Sequence, residues 1–335
     1  MKRWFKTLLP WLLLLAGVLL AMSVGRSHIS AHDLWQATLE GVLGWGDAQH
    51  PLAQTVVFEI RGPRVLAAIL VGAGLAMAGA AFQGLFRNPL VSPDILGASA
   101  GAALGAVLGI FLSLSIVGIQ LLAFVGGLLA VGLVYMVSSS FRQGDPVLLL
   151  ILTGVVLGSL VGAGIGLIKY LADPYNQLPA MTFWLLGSLA STTADDVFKL
   201  ALPIAAGGFV LLLLRHRMNV MSLSEDEARS MGVNTTRIRW VVVVGATLVT
   251  SAGVAMAGVI GWVGLVVPHM ARFLVGPSFD RLLPASALLG ASFMLLIDTL
   301  ARSMASIEVP LGLLTAVVGT PFFIALLRRA HRSWA

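Results

Sequence analysis

The chain is built from successive runs of about 20 apolar residues with almost no charge inside them, such as LAAILVGAGLAMAGAAF from residue 66 and VLLLILTGVVLGSLVGAGIGLI from residue 147. A run of that length matches the hydrocarbon thickness of a bilayer, where every backbone N–H and C=O must be satisfied internally. Only helices or a closed barrel meet that condition. The runs show no alternation of polar and apolar residues, which excludes a barrel and predicts an all-α, polytopic membrane protein. Charged residues make up 11% of the 335 positions and hydrophobic ones 58%, and the mean hydropathy is +0.95.

Ten spans are expected, over residues 8–24, 64–84, 94–112, 116–138, 147–168, 195–214, 238–256, 258–275, 283–302 and 310–327, the seventh and eighth so close that they are easily mistaken for one long kinked segment. The first stretch has the basic head and apolar body of a signal peptide, with AMS as a passable cleavage site; the many spans that follow favour its retention as span one. An even number puts both termini on one side. With the termini in the cytoplasm, most of the 21 basic residues fall inside, and Arg26, Arg61, Arg64, Lys169, Lys199 and Arg302 are left outside. Topology thus accounts for the net charge of +6 without nucleic acid, for which no basic run with interleaved aromatics exists. The absence of cysteine rules out disulfides and thiolate metal sites.

Residues 26–60 are too polar to cross, and Ser30 is placed to cap a surface helix with Leu34, Trp35, Leu39, Val42 and Leu43 on one face. His28 and His32 lie one turn apart in it but lack a third metal ligand. Glycine recurs every fourth residue at 97, 101, 105 and 109 and again at 154, 158, 162 and 166, so each set lines one helix face open to close backbone approach, either for packing or for sliding. The tetrapeptide AMAG occurs at 76–79 and 255–258 in spans of opposite direction, a faint sign of inverted repeats.

Residues 215–237 form the most polar inner segment, centred on SLSEDEARSMGVN. Ser224 and Glu227 have capping-box spacing, the acids Glu225, Asp226 and Glu227 fill the first turn, and Gly232 stands where a left-handed residue ends a helix. A short helix so well specified exceeds what a connector needs and suggests docking of a cytoplasmic partner. The chain has no G-x-x-x-x-G-K-[ST] loop and no lysine that follows glycine, so nucleotide hydrolysis must come from another subunit.

The blocks RGPRVLAAILVGAGLAMAGAAFQGLFRNPLVSPDILGASAGAALG, FWLLGSLAS, EDEARSMGVN, GWVGLVVPHMARFLVG, RLLPASALLGASFMLLIDTLAR and VPLGLLTAVVGTPFFIALLRR, in order between about residues 56 and 329, resemble the FecCD-type permease subunits of binding-protein-dependent ABC importers for iron-siderophores, haem and vitamin B12. The resemblance implies a single permease domain over residues 1–335 in the bacterial or archaeal cytoplasmic membrane, acting as a homodimer or a pair of related subunits with the pathway between them. It implies no cofactor in this chain, since ATP and Mg would be bound by two partner ATPases. Ser224, Glu225, Asp226, Glu227, Ala228, Arg229 and Gly232 would form the coupling helix in the ATPase groove, while Arg61, Arg64 and Arg302 would receive acidic residues of a periplasmic binding protein.

The pathway is expected along span five and the segment after it, through Thr153, Gly158, Ser159, Gly162 and Trp184. Asp298, the one acid deep in a span, lies four residues before Arg302 and is expected to pair with it. A proton relay through Asp298 in a secondary transporter is the competing class, and a passive channel is disfavoured because no filter motif occurs. His269 is read as a packing residue. NPLVSPDILG most resembles the iron-chelate members of that family, a resemblance that implies an iron-siderophore as substrate ahead of haem, cobalamin or molybdate.

Overall fold

The computed structural model describes residues 3–25, 30–43, 51–89, 91–141 and 145–332, and among these every regular element is helical. Arg26, His28, Leu90 and Arg142 lie outside the described residues, as do the side chains of Leu34, Trp35, Val42 and Leu43. The helices are α1 (Arg3–Ser23), α2 (Ala31–Leu43), α3 (Pro51–Thr55), α4 (Gly62–Leu85), α5 (Ala98–Phe111), α6 (Ile116–Ser139), α7 (Pro146–Leu171), α8 (Gln177–Leu186), α9 (Ala194–Met221), α10 (Glu225–Ser230), α11 (Thr235–Ala257), α12 (Val263–Val275), α13 (Phe279–Ser303) and α14 (Leu311–Arg332).

Among the described residues, six helical stretches are long and apolar enough to cross a bilayer: Leu52–Leu85, Ile116–Ser139, Pro146–Leu171, Ala194–Met221, Thr235–Ala257 and Phe279–Ser303. Four apolar helices are shorter: Thr7–Ser23, Ala98–Phe111, Val263–Val275 and Leu311–Ala325. Each of the ten overlaps one expected span. The sequence misplaced several boundaries. α9 continues seven residues past the expected end at 214, so the inner connector begins only after Met221. The expected third span starts late, because Pro93–Leu96 form a separate 3-10 turn and Gly97, at φ +78°, resets the chain before α5. α11 and α12 are distinct helices, divided where Gly258 (φ +73°) and Trp262 (φ +71°) enter left-handed conformations.

α4 is the axis of the bundle and packs against α13, α9, α11 and α12. Its approach to α13 is backbone on backbone: a Cβ on Gly72 would overlap the Gly290 carbonyl, and one on Gly290 the Gly72 carbonyl. Burial sorts the spans: 78% of the best window of Leu52–Leu85 is inside the protein, against 17% for α6 and for α7. Those two outer helices present Leu121, Leu129, Leu133, Leu148, Leu152 and Leu160 outward, an apolar surface suited to lipid or to another subunit.

The connector before α4 holds a surface helix as expected, with the Asp33 N–H donating to Ser30 Oγ at 3.1 Å as the N-cap bond. α2 rests on the segment that leads into α4, with Ala37, Ala53 and Val57 buried together. That lead-in is a π-turn over Val56–Arg61, closed by Gly62 N–H bonding to Val57 O; a Cβ at Gly62 would stand 2.6 Å from that oxygen. The two AMAG glycines differ in setting: Gly79 lies within α4 against Gly264, whereas Gly258 ends α11 at positive φ.

Candidate docking and coupling sites

The end of α1, the start of α4 and the end of α13 converge at one end of the bundle, and the three expected docking arginines meet there. They are not at the surface. Arg61, Arg64 and Arg302 are only 3%, 8% and 7% exposed. Arg64 gives its Nε to both oxygens of Asp298 (2.9 and 3.1 Å) and spreads its two terminal nitrogens over Glu308, at 2.9 and 3.0 Å. Arg302 Nε stands 3.5 Å from Asp298 Oδ2 and its Nη2 donates to the Ala21 carbonyl. Arg61 donates to the carbonyls of Met22 and Ser23.

The reason for the inward turn is local. Two carboxylates and the unsatisfied carbonyls at the C-terminal end of α1 offer the guanidinium donors more than water does at this depth. The expected Asp298–Arg302 pair exists, but the principal partner of Asp298 is Arg64, 234 residues away in sequence. Glu308 was not anticipated. A sequence signal for it exists: three arginines gathered at one apolar end need counter-charge, and Asp298 alone supplies one.

At the opposite end, about 33 Å away along the 22 residues of α4 from Arg64 to Leu85, lies α10. The capping box forms as the spacing predicts: the Glu227 N–H donates to Ser224 Oγ at 3.3 Å and the Ser224 N–H to Glu227 Oε2 at 2.9 Å. Those bonds from Ser224 hold the Glu227 carboxyl below the usual carboxylate range, so the cap is intact at neutral pH and is lost only as pH falls through that depressed value. Gly232 adopts φ +76°, and Asn234 caps α11 by accepting the Arg237 N–H at 2.9 Å.

Glu225 turns out to be a brace. It accepts from Arg229 at 2.8 Å and Thr235 at 3.1 Å and stands 3.6 Å from Arg239, fixing α10 to the start of α11. Burial raises its pKa, but the Thr235 bond and the guanidiniums of Arg239 and Arg229 outweigh that, leaving it below the ordinary value. Ala228 is the buried pivot, while Asp226, Arg229 and Met231 face outward. Further bonds join this end to the bundle: Arg87 Nε donates to Met221 O at 3.1 Å, and the Asn219 side chain accepts from Phe279 N–H at 2.7 Å and donates to Asp280 at 2.9 Å. α10 is therefore braced to α11 and packs on α9, whose end is bonded in turn to the end of α4 and to α13.

The expected pathway residues do not share one surface. Gly158, Gly162 and Gly166 have nothing within 4 Å of where a Cβ would stand, and Ser159 beside them is exposed, its hydroxyl returned to Val155 O at 2.9 Å. Thr153 lies about 140° round α7 from Gly158 and is half-buried. Gly154 packs against the Ile95 carbonyl. Trp184 lines a cavity of about 280 Å³ with Ile119, Gln120, Phe183, Met256 and Gly258, away from the glycine face of α7. The other glycine series is a packing face, since Cβ atoms at Gly101 and Gly105 would overlap carbonyls of Gly126 and Leu122 in α6. His269 packs its ring edge-on to Phe273, 4.8 Å between centroids. His32 is exposed beside Asp33, and no three potential metal ligands cluster among the described residues.

These features agree with the chain's similarities. The model of the FecCD transport family matches residues 13–329. The chain is 38% identical over 325 residues to the molybdate import system permease protein MolB of Haemophilus influenzae, covering 96% of this chain and 94% of that one. It is 35% identical over 331 residues to the hemin transport system permease protein HmuU of Yersinia pestis, covering 97% and 96%. To the cobalamin import system permease protein BtuC of Halobacterium salinarum it is 41% identical over 278 residues, covering 82% and 74%. A solved inward-facing structure assigned to the metal-chelate type of ABC transporter superposes with a TM-score of 0.86 at 36% identity, covering 96% and 97%. PsaBC of Streptococcus pneumoniae, at TM-score 0.60 and 20% identity, shares the fold. The chain belongs to the FecCD transport family: it is a multi-pass inner-membrane permease subunit of an ABC importer, and its ATP is used by a partner ATPase.

Proposed function

We propose that this permease crosses the membrane ten times with both termini in the cytoplasm, pairs with a second copy of itself, and admits an iron-siderophore or related metal chelate by alternating access. Residues 215–237 would be its cytoplasmic coupling segment, with α10 seated on an ATP-binding cassette ATPase, and the arginine end would receive a ligand-loaded binding protein. The observation that carries this reading is α10 itself: a six-residue helix capped at its N-terminus, braced by Glu225 and pivoted on Ala228 moves only if the helices it is clamped to move. Such a part transmits force from an ATPase to the spans.

The unfilled glycine face of α7 supports the homodimer. It is a smooth, uncharged strip of Gly158, Ser159, Gly162 and Gly166, suited to a second copy and to a bulky ligand passed along without strong contacts. Chelate specificity would then reside in the binding protein. Molybdate is the second reading, favoured by the 38% identity to MolB across nearly the whole of both chains.

Uptake into proteoliposomes holding this permease and its ATPase, supplied with the binding protein of the same importer, separates these cargoes. ATP-dependent entry of an iron-siderophore, with none of molybdate, is the expected result. Entry of molybdate alone would move the assignment to the oxyanion, and entry without ATP would remove the importer reading altogether.

A further inference from the structure

Burial of the arginine cluster poses a difficulty for docking. A partner's carboxylate approaching from water finds Arg64 only 8% exposed and already covered. What covers it is Glu308, whose side chain is 28% exposed and which holds both terminal nitrogens of Arg64. The two carboxylates on Arg64 differ in kind. Asp298, with a side chain 1% exposed on α13, is a fixed internal partner, whereas Glu308 sits on the short outer segment between α13 and α14.

We infer that Glu308 is an internal stand-in for an acidic residue of the docking protein, and that docking exchanges one carboxylate for the other on Arg64. This rests on the docking reading above and adds its mechanism. The geometry suits exchange: Glu308 makes the paired, two-oxygen contact an incoming Glu or Asp would make, so the fork is preformed and nothing inside the bundle must rearrange. Charge suits it as well. Arg61, Arg64 and Arg302 against Asp298 and Glu308 leave a net of +1 (3 − 2), and withdrawal of Glu308 raises it to +2 (3 − 1), a stronger field for an acidic partner. Met304 and Ile307, 62% and 79% exposed on the same segment, supply an apolar rim for that partner.

Release of Glu308 also has somewhere to go. The segment is tied back by Val309 N–H to Ala301 O at 3.0 Å, and Leu311 N–H, at the start of α14, donates to Gly187 O at the end of α8, also at 3.0 Å. Gly312 is pressed so close that a Cβ would stand 2.8 Å from the Leu186 carbonyl. Glu308 is thus three residues from the joint between α8 and α14, and its displacement loosens a strap attached to that joint.

The test uses the permease with its ATPase in lipid nanodiscs and the ligand-loaded binding protein of the same importer. Wild type, Glu308→Gln and Glu308→Asp are compared for affinity, and a spin label at Ile307→Cys reports strap mobility in each. Removing the competing charge is expected to tighten docking about tenfold in E308Q. The label in free E308Q should be as mobile as in docked wild type, with E308D close to wild type in both. E308Q that docks no tighter than a wild type that does dock overturns the exchange. A wild type that does not bind its binding protein at all overturns the docking reading beneath it. A monodisperse gel-filtration peak at wild-type yield distinguishes a folded variant with a loosened strap from a misfolded one.

Discussion

Replacing Asp298 with alanine is expected to cost about 3–5 kcal/mol of stability, enough to deplete folded permease from the membrane, because it strands Arg302 as a buried cation and leaves Arg64 with Glu308 alone. Removing Arg64 and Asp298 together should be milder: Arg64→Gln with Asp298→Asn keeps the shape and removes one of the cations that Asp298 compensates, leaving Arg302 as the one that loses its carboxylate. Thermal stability of the detergent-purified protein, followed by the monodisperse fraction on gel filtration, checks both. Equal losses in the single and double variants would show that the pair does not act through charge compensation. A proton relay through Asp298 fits poorly with this surrounding, since both of its oxygens are taken up by Arg64 and Arg302 and its side chain is only 1% exposed.

The two glycine series should respond in opposite ways to one chemical change. Leucine at Gly105 drives a side chain into the Leu122 carbonyl and forces α5 from α6, a clash whose relief costs at least about 1–3 kcal/mol and here involves backbone that cannot yield. No monodisperse protein is expected. A Cβ at Gly162 meets nothing within 4 Å, so with leucine there the single chain should keep near-wild-type stability. What it should lose is self-association and uptake, because the face it fills is the one assigned to the second copy. Crosslinking in membranes and the proteoliposome assay read these separately; a Gly162→Leu protein that dimerises and transports normally would remove α7 from the interface.

Local and periodic features were legible in the sequence because they are set by neighbours along the chain. The apolar runs locate the helices, Ser224 and Glu227 specify the cap on α10, Ser30 the cap on α2, and Asn234 the start of α11. Residues that act through distant partners were not. Nothing near Arg64 announces that Asp298 and Glu308, more than 230 positions on, will fold over it, so arginines read as outward-facing are in fact turned inward. Likewise four-residue glycine spacing marks a smooth face without saying whether another helix of the same chain fills it, as at Gly105, or none does, as at Gly162. Thr153 and Trp184 were assigned to the pathway by position along the chain, and helical phase and the placement of α8 separate them from the glycine face. Glu225 shows the same limit on a small scale: an acid in a polar helix was read as a contact for a partner, yet its own chain employs it as a brace.

The central claim, that α10 is the seat of an ATPase, is tested most directly by co-expressing this chain with its ATPase subunit and purifying by a tag on the permease. Asp226→Arg reverses an exposed charge on α10 and leaves the Ser224–Glu227 cap and the Glu225 brace in place. The account expects the ATPase to co-purify with wild type and hydrolyse ATP, and to be absent from the charge-reversed variant at unchanged permease yield. An ATPase that fails to associate with wild type, together with uptake by the reconstituted chain alone under a proton gradient, would contradict it.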